Sequence, residues 1–244
     1  MFAKRFFLCL LPLVVVGCSS HTSEQLAQRP ISRDNSDVSL VSPVYQRMYG
    51  EITTDKYPIM AADLTELDSR YFRQQVSYNS KERPGTIIID TGSRFLYLVQ
   101  ENGKAMRYGI GVGKEGLTFK GRAVIQRKAE WPSWTPTAAM IKREPERNKK
   151  WAGGMKGGPE NPLGARALYL YRDGKDTMFR IHGTNEPWSI GQSVSSGCIR
   201  LMNQDIIDLY NRTPSGTKVV VKNDSFFGSG EKDSDYAYNG GVLP

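Results

Sequence analysis

TIIIDTGSRFLYLVQENGKAMRYGIGV, Thr86 to Val112, decides the fold. Thr86 to Asp90 is short and β-branched, and Arg94 to Gln100 alternates apolar with polar side chains, the period of a half-buried strand. Glu101-Asn102-Gly103-Lys104 is a hairpin turn of the Asn-Gly kind, whose two central residues tolerate positive φ. The partner strand runs from Ala105 to Val112. Working outward, Gly121 to Lys128 reads as another strand. Ala167 to Arg172 and Thr177 to Ile181 form a second hairpin through Asp173-Gly174, and Thr217 to Lys222 closes the series. Many short strands joined by tight turns predict a mainly β domain of sandwich or barrel-like form with a few short helices.

Helical signals are few. Thr135-Pro136 offers a cap with proline at the first helical position, and the helix must stop before Pro145. Asn203 is placed to cap a second helix, with Ile206, Ile207 and Tyr210 on one face and Pro214 ending it. Within residues 43–83, Leu64, Leu67, Tyr71 and Phe72 recur at roughly helical spacing and predict a short helix packed on the main domain. Between strands, Glu130 to Gly164 carries Trp131, Trp134 and Trp151 with two Gly-Gly pairs. A segment that long and aromatic reads as a functional lid; the competing reading is a packed Ω-like loop with its tryptophans in the core.

The ends have a different character. Met1 to Cys18 reads MFAKRFFLCLLPLVVVGC: two basic residues, then an apolar run from Phe6 to Gly17. A membrane-spanning helix needs about 20 apolar residues, so the run fits the core of a signal peptide. Val15-Val16-Gly17-Cys18 resembles the lipobox of bacterial lipoproteins, which implies cleavage after residue 17 and acylation of Cys18. Each buried methylene of such a chain contributes about 0.8 kcal/mol to membrane attachment. Ser19 follows the cysteine, and the resemblance to enterobacterial lipoproteins then favours the outer membrane over the inner, on the periplasmic side. Residues 18–42 have the polar composition of a flexible tether, and residues 223–244 that of a flexible tail. The domain itself is expected over residues 84–222.

The formal charge is +8, of which Lys4 and Arg5 leave with the export segment. What remains suits an anionic polymer or a membrane surface. No dense Lys/Arg stripe interleaved with aromatics is present, which argues against a nucleic-acid partner.

The chain has two histidines and three cysteines. Cys9, Cys18 and His21 lie in or just after the export segment, so the folded body holds one thiol, Cys198, and one imidazole, His182. Both fall in IHGTNEPWSIGQSVSSGCIRLMNQD, Ile181 to Asp205. A lone body cysteine has no partner for an intramolecular disulfide, and such residues are usually small buried hydrophobes. This one follows Ser195-Ser196-Gly197, a small-residue turn whose backbone N–H groups suit an oxyanion, and precedes Arg200, a cation that favours a thiolate. His182 is the group able to serve as base near neutrality. A metal centre would need carboxylates to complete it, and no spacing typical of zinc ligands occurs. No cofactor is expected. Gly109-Ile110-Gly111-Val112-Gly113 imitates a nucleotide loop but opens no helix. Glu144 and Glu146 sit among basic residues, paired on a solvated face.

The Ile181–Asp205 stretch closely resembles the active-site signature of bacterial L,D-transpeptidases of the YkuD type, in which His-Gly-Thr is followed by Ser-x-Gly-Cys-x-Arg. Gly158 to Gly164, GPENPLG, is similar to another stretch of those enzymes. The resemblance covers roughly residues 84–222 and implies a β-sandwich-like domain acting on peptidoglycan stem peptides. It implies Cys198 as nucleophile and His182 as its proton acceptor, with the N–H groups of Gly197, Cys198 and Ser196 around the oxyanion. The carbonyl of Gly183 would orient the imidazole. Arg200 would anchor either a substrate carboxylate or the turn itself, the turn being preferred, and Trp134, in the segment read as a lid, would be substrate-binding or structural. The acyl acceptor stays open between a second stem, an outer-membrane protein and water.

Overall fold

The computed structural model describes residues 42–113, 119–194 and 198–222. The expected export segment with Cys18, the expected tether up to residue 41, the expected tail from 223, and Ser196 and Gly197 lie outside the described residues.

The protein is mainly β. In chain order the strands are β1 (Gln74–Ser77), β2 (Ile87–Asp90), β3 (Phe95–Val99), β4 (Lys104–Gly109), β5 (Gly111–Gly113) and β6 (Gly121–Glu130). Then come β7 (Arg166–Arg172), β8 (Lys175–His182), β9 (Ser193–Val194), β10 (Ile199–Arg200) and β11 (Lys218–Lys222). They hydrogen-bond in the order β1-β4-β3-β2-β11-β6-β7-β8-β10-β5-β9. Both predicted hairpins form. Asn102 and Gly103 take φ of 59° and 66°, and Asp173 and Gly174 take 50° and 75°, left-handed values that match the twist of the flanking strands.

The order of strands explains how the sheet closes. β4 stands near one end and β5 near the other, yet only Ile110 separates them in sequence. The chain therefore carries one strand across from one half of the sheet to the other. Inward-facing residues from both halves, including Ile87, Leu96, Ile110, Ile181, Ile199 and Val219, meet in one fully buried cluster. Each buried aliphatic of this kind contributes about 1.5–3 kcal/mol. The glycines of the false nucleotide motif serve close packing instead. A Cβ on Gly109 would lie 2.5 Å from the Tyr71 backbone oxygen, and one on Gly111 2.4 Å from the Ser189 carbonyl oxygen.

The helices are α1 (Pro43–Met48), α2 (Ala138–Arg143), α3 (Pro145–Asn148) and α4 (Asn203–Arg212). Three expectations need correction. The helix expected around Leu64 to Phe72 does not form; only Ser69–Tyr71 makes a single 3-10 turn. Asp63 accepts from the Thr65 N–H and Asp68 from the Arg70 N–H, so local turns compete with the helix while Leu67, Tyr71 and Phe72 still bury their side chains. The helix before Pro145 is capped by Thr137, not Thr135, its side chain accepting from the Met140 N–H at 3.2 Å. Asn203 is the first residue of α4 and does not cap it: its Oδ1 accepts from the Ala165 N–H at 2.9 Å, tying the helix to the start of β7.

Residues 42–83 wrap the sheet as a strap. β1 adds to the edge of β4, and the strap locks onto the start of α4 through polar bonds. The Tyr49 hydroxyl donates to Asp205 at 3.1 Å, and Gln204 Nε2 donates to the carbonyls of Tyr49, Gly50 and Met60. α4 in turn presses Ile206 and Asn203 against Gly183, which places it directly behind the histidine turn.

Candidate active site

β8 ends on His182, and β10 begins one residue after Cys198. The two strands pair in parallel, Ile199 opposite Ile181 and Arg200 opposite His182. Ile181 and Ile199 point into the core. Because side chains alternate along a strand, His182, Arg200 and, by extension of the period, Cys198 turn to the other face. There they line one cleft of about 970 Å³. Backbone bonds fix the alignment: Leu201 N–H donates to the His182 carbonyl at 2.8 Å, and Gly113 N–H to the Cys198 carbonyl at 3.1 Å. Cys198 is half-buried at the cleft edge.

His182 is 3% exposed. Its Nδ1 lies 2.5 Å from the Gly183 carbonyl oxygen, so that nitrogen carries the hydrogen and Nε2 is left as the acceptor. Burial above all, then the charge of Arg200, pushes the imidazole down from 6.5 to about 3, against the carbonyls of Gly183 and Leu163. The ring is therefore neutral at neutral pH. Gly183 has no room for a side chain: a Cβ there would sit 2.3 Å from Asn203 Oδ1 and 3.0 Å from Ile206 Cγ2.

Arg200 is nearly buried and donates to Glu186 at 2.7 Å. The other Glu186 oxygen takes Arg147 from α3. Burial disfavours the Glu186 charge, but Arg147 and Arg200 overcome it and hold the carboxyl below its usual range. Arg200 of β10 is thus joined through Glu186 to Arg147 of α3. Glu186 is not among the residues expected at the site from the sequence. Its signal was available, since it is the one carboxylate between His182 and Arg200.

The wall is the segment from Trp131 to Gly164. β6 ends where Trp131 takes φ of 42°, and its indole donates to Asp55 of the strap at 2.6 Å. Trp131 is buried with Ile59 and Ala165 at the border of the cleft, which Trp134 and Trp151 also line. Trp131 thus packs as the Ω-like-loop reading expects. Trp134 and Met155 exchange backbone bonds of 2.9 and 2.7 Å. Asn161, fully buried within GPENPLG, donates to the carbonyls of Pro132 and Lys156 at 3.1 Å and accepts from the Leu163 N–H at 2.9 Å. Glu144 contacts Arg143 and Arg147, as its basic surroundings implied.

Comparison with known proteins agrees with the motif. The family model of the L,D-transpeptidase catalytic domain (YkuD) matches residues 84–221. The Escherichia coli K12 protein named "Probable L,D-transpeptidase ErfK/SrfK" is 33% identical over 150 residues, 61% of this chain and 47% of that protein. The chain spans about half the length of the curated E. coli relatives it matches. Among solved structures, a Brucella melitensis protein described as a probable carnitine operon oxidoreductase is 51% identical, covering 66% of this chain and 99% of that one at a TM-score of 0.45. An L,D-transpeptidase from Mycobacterium smegmatis is 17% identical, covering 60% and 59%, at a TM-score of 0.40.

Proposed function

This chain belongs to the L,D-transpeptidase catalytic-domain family, and from that premise we propose that it is a cysteine-dependent acyltransferase acting on peptidoglycan stem peptides. The observation that carries the reading is the pairing of β8 with β10, which turns His182, Arg200 and Cys198 into one cleft.

The Cys198 sulfur attacks the amide carbonyl that joins the L-centre of a diamino acid to the terminal D-Ala of a tetrapeptide stem. His182, neutral at rest, takes the thiol proton as the S–C bond forms. The negative charge gathers on the carbonyl oxygen, where the N–H groups of Gly197 and Cys198, with Ser196, receive it. Loss of one such donor costs about 2.7–4 kcal/mol in the barrier. The C–N bond then breaks, His182 returns the proton to the departing D-Ala amine, and a thioester remains on Cys198. An amine attacks that thioester, either on a second stem, which makes a cross-link, or on a lysine of an outer-membrane protein, which attaches that protein to the wall. The segment carrying Trp134 and Trp151 shields the thioester from water. The Gly183 carbonyl keeps the imidazole in its productive tautomer. The motif at Cys18 supports a periplasmic enzyme held by lipid, with the outer membrane favoured.

The test is to incubate the purified chain with a tetrapeptide muropeptide and follow free D-Ala and dimer. The reading expects both, and neither with Cys198→Ala. Cross-link formation that survives Cys198→Ala would overturn it, and tripeptide with free D-Ala but no dimer would move the acceptor to water.

A further inference from the structure

The cleft floor is a strip of sheet read by register. In the row that passes through His182 to Arg200, Ala129 of β6 lies opposite Ala167 of β7, and Ala167 opposite His182 of β8. In the next row Arg127 lies opposite Tyr169, and Tyr169 opposite Arg180. Rows on one face are two residues apart along each strand, about 7 Å. The first row is small beside the imidazole and leaves space for a substrate backbone. The second is aromatic and cationic, with the Arg127 guanidinium 3.5 Å and the Arg180 guanidinium 4.4 Å from the Tyr169 ring centre.

Charge pairing separates these cations. Asp176 holds Arg180 through two bonds of 2.7 and 2.9 Å. Elsewhere in the cleft Glu186 holds Arg200 and Arg147, and Glu144 contacts Arg143. Arg127 is exposed and lines the cleft, and no acidic residue among the described ones pairs with it. With its guanidinium carbon 3.5 Å from the Tyr169 ring centre, the head is held against the ring by a cation–π contact, which lowers the entropic cost of engaging a ligand. A guanidinium held that way is built for a carboxylate, which it meets with two parallel bonds.

We propose that Arg127, stacked on Tyr169, is a specificity-determining residue that binds a carboxylate on the acyl half of the substrate, set back from the attacked carbonyl. The inference rests on the L,D-transpeptidase reading and adds to it a charge requirement. The acyl half stays on Cys198 through both half-reactions and needs an anchor throughout, whereas D-Ala must depart.

The experiment uses the purified full chain and two synthetic tetrapeptides ending in D-Ala: one with free carboxyls on its acyl half, the other with those carboxyls as amides. D-Ala release gives kcat and KM for each. Arg127→Gln is expected to raise KM for the free-carboxyl peptide about tenfold, the effect of losing one charge-assisted contact, with kcat nearly unchanged. It should leave the amide peptide unaffected, and Arg127→Lys should recover part of the loss. The rate of Cys198 alkylation by iodoacetamide, which needs no carboxylate, should be the same in all variants. Equal losses on both peptides, or none on either, would overturn the inference and leave the function standing. Absence of D-Ala release from both peptides by the unsubstituted chain would overturn the function, and the inference with it.

Discussion

The floor of the cleft and the frame around it are held by different physics. On the floor, β6, β7, β8 and β10 place His182 and Arg200 by strand register, backbone to backbone. In the frame, made of the strap at residues 42–83 and the wall from Trp131 to Gly164, the backbone pairing of β1 with β4 and of Trp134 with Met155 is joined by side chains bonding to distant backbone or to each other. Asn161, Gln204 and the Trp131–Asp55 contact are of that kind. A register can be lost only with the sheet. A frame contact can be removed one residue at a time, so damage to chemistry and damage to stability should separate along the same boundary.

The largest effect is expected on the floor. His182→Ala removes the group that manages the thiol proton and should cut D-Ala release by about a thousandfold, within the range for a general base. Its Cys198 should still alkylate, and far-ultraviolet circular dichroism should be unchanged. A loss smaller than tenfold would mean that the thiol proton has another route.

In the frame, Asn161→Ala should act on stability first. It strands the buried carbonyl of Pro132 and the part-buried Lys156 carbonyl and Leu163 N–H. With each such group costing about 1–3 kcal/mol, urea unfolding should show a loss of roughly 3 kcal/mol. KM should rise more than kcat falls, because Trp134 and Trp151 lose their fixed place while the floor keeps its register.

Glu186→Gln tests the joint between the two regions. The carboxylate meets Arg200 of the floor and Arg147 of the wall. The amide keeps one bond and none of the charge, so a loss of about 1–2 kcal/mol is expected in thermal unfolding. Added salt should weaken the unsubstituted chain toward the variant, since the Arg147 end is open to solvent.

The same division explains what could be read from sequence. Alternation and Asn-Gly or Asp-Gly turns announced the sheet because strand period and turn chirality are local. His182, Gly183 and Cys198 stood out by elimination and by motif, and the strands deliver two of them to one cleft. The frame was opaque for the opposite reason. Nothing near Asn203 in sequence says that its side chain will tie down Ala165 instead of capping its own helix. The spacing of Leu67, Tyr71 and Phe72 looked helical because a buried cluster needs apolar residues whatever the backbone does, and Asp63 and Asp68 settled the turns. Glu186 lay inside the motif, but its two partners come from β10 and α3.

The smallest effect sets the two regions against each other through pH. His182 has its folded pKa depressed from 6.5 to about 3, mainly by burial. Between those values the unfolded chain binds more protons, so its contribution is complete above pH 6.5 and is lost as pH falls toward 3. Asp205, in the joint between strap and α4, is shifted the other way, from 3.8 to about 7, again chiefly by burial and against the pull of Arg73 and Tyr49. The folded chain keeps a proton there that the unfolded chain gives up, so stability is lost as pH rises from 3.8 to 7. Between pH 3.8 and 6.5 the two slopes oppose, and this pair should leave the unsubstituted chain with little net dependence. His182→Gln should expose the strap's slope, with Tm falling as pH rises. Asp205→Asn should expose the floor's, with Tm falling as pH drops. Scanning calorimetry across that window checks both, and parallel profiles for the two variants would show that the groups titrate together and do not divide between floor and frame.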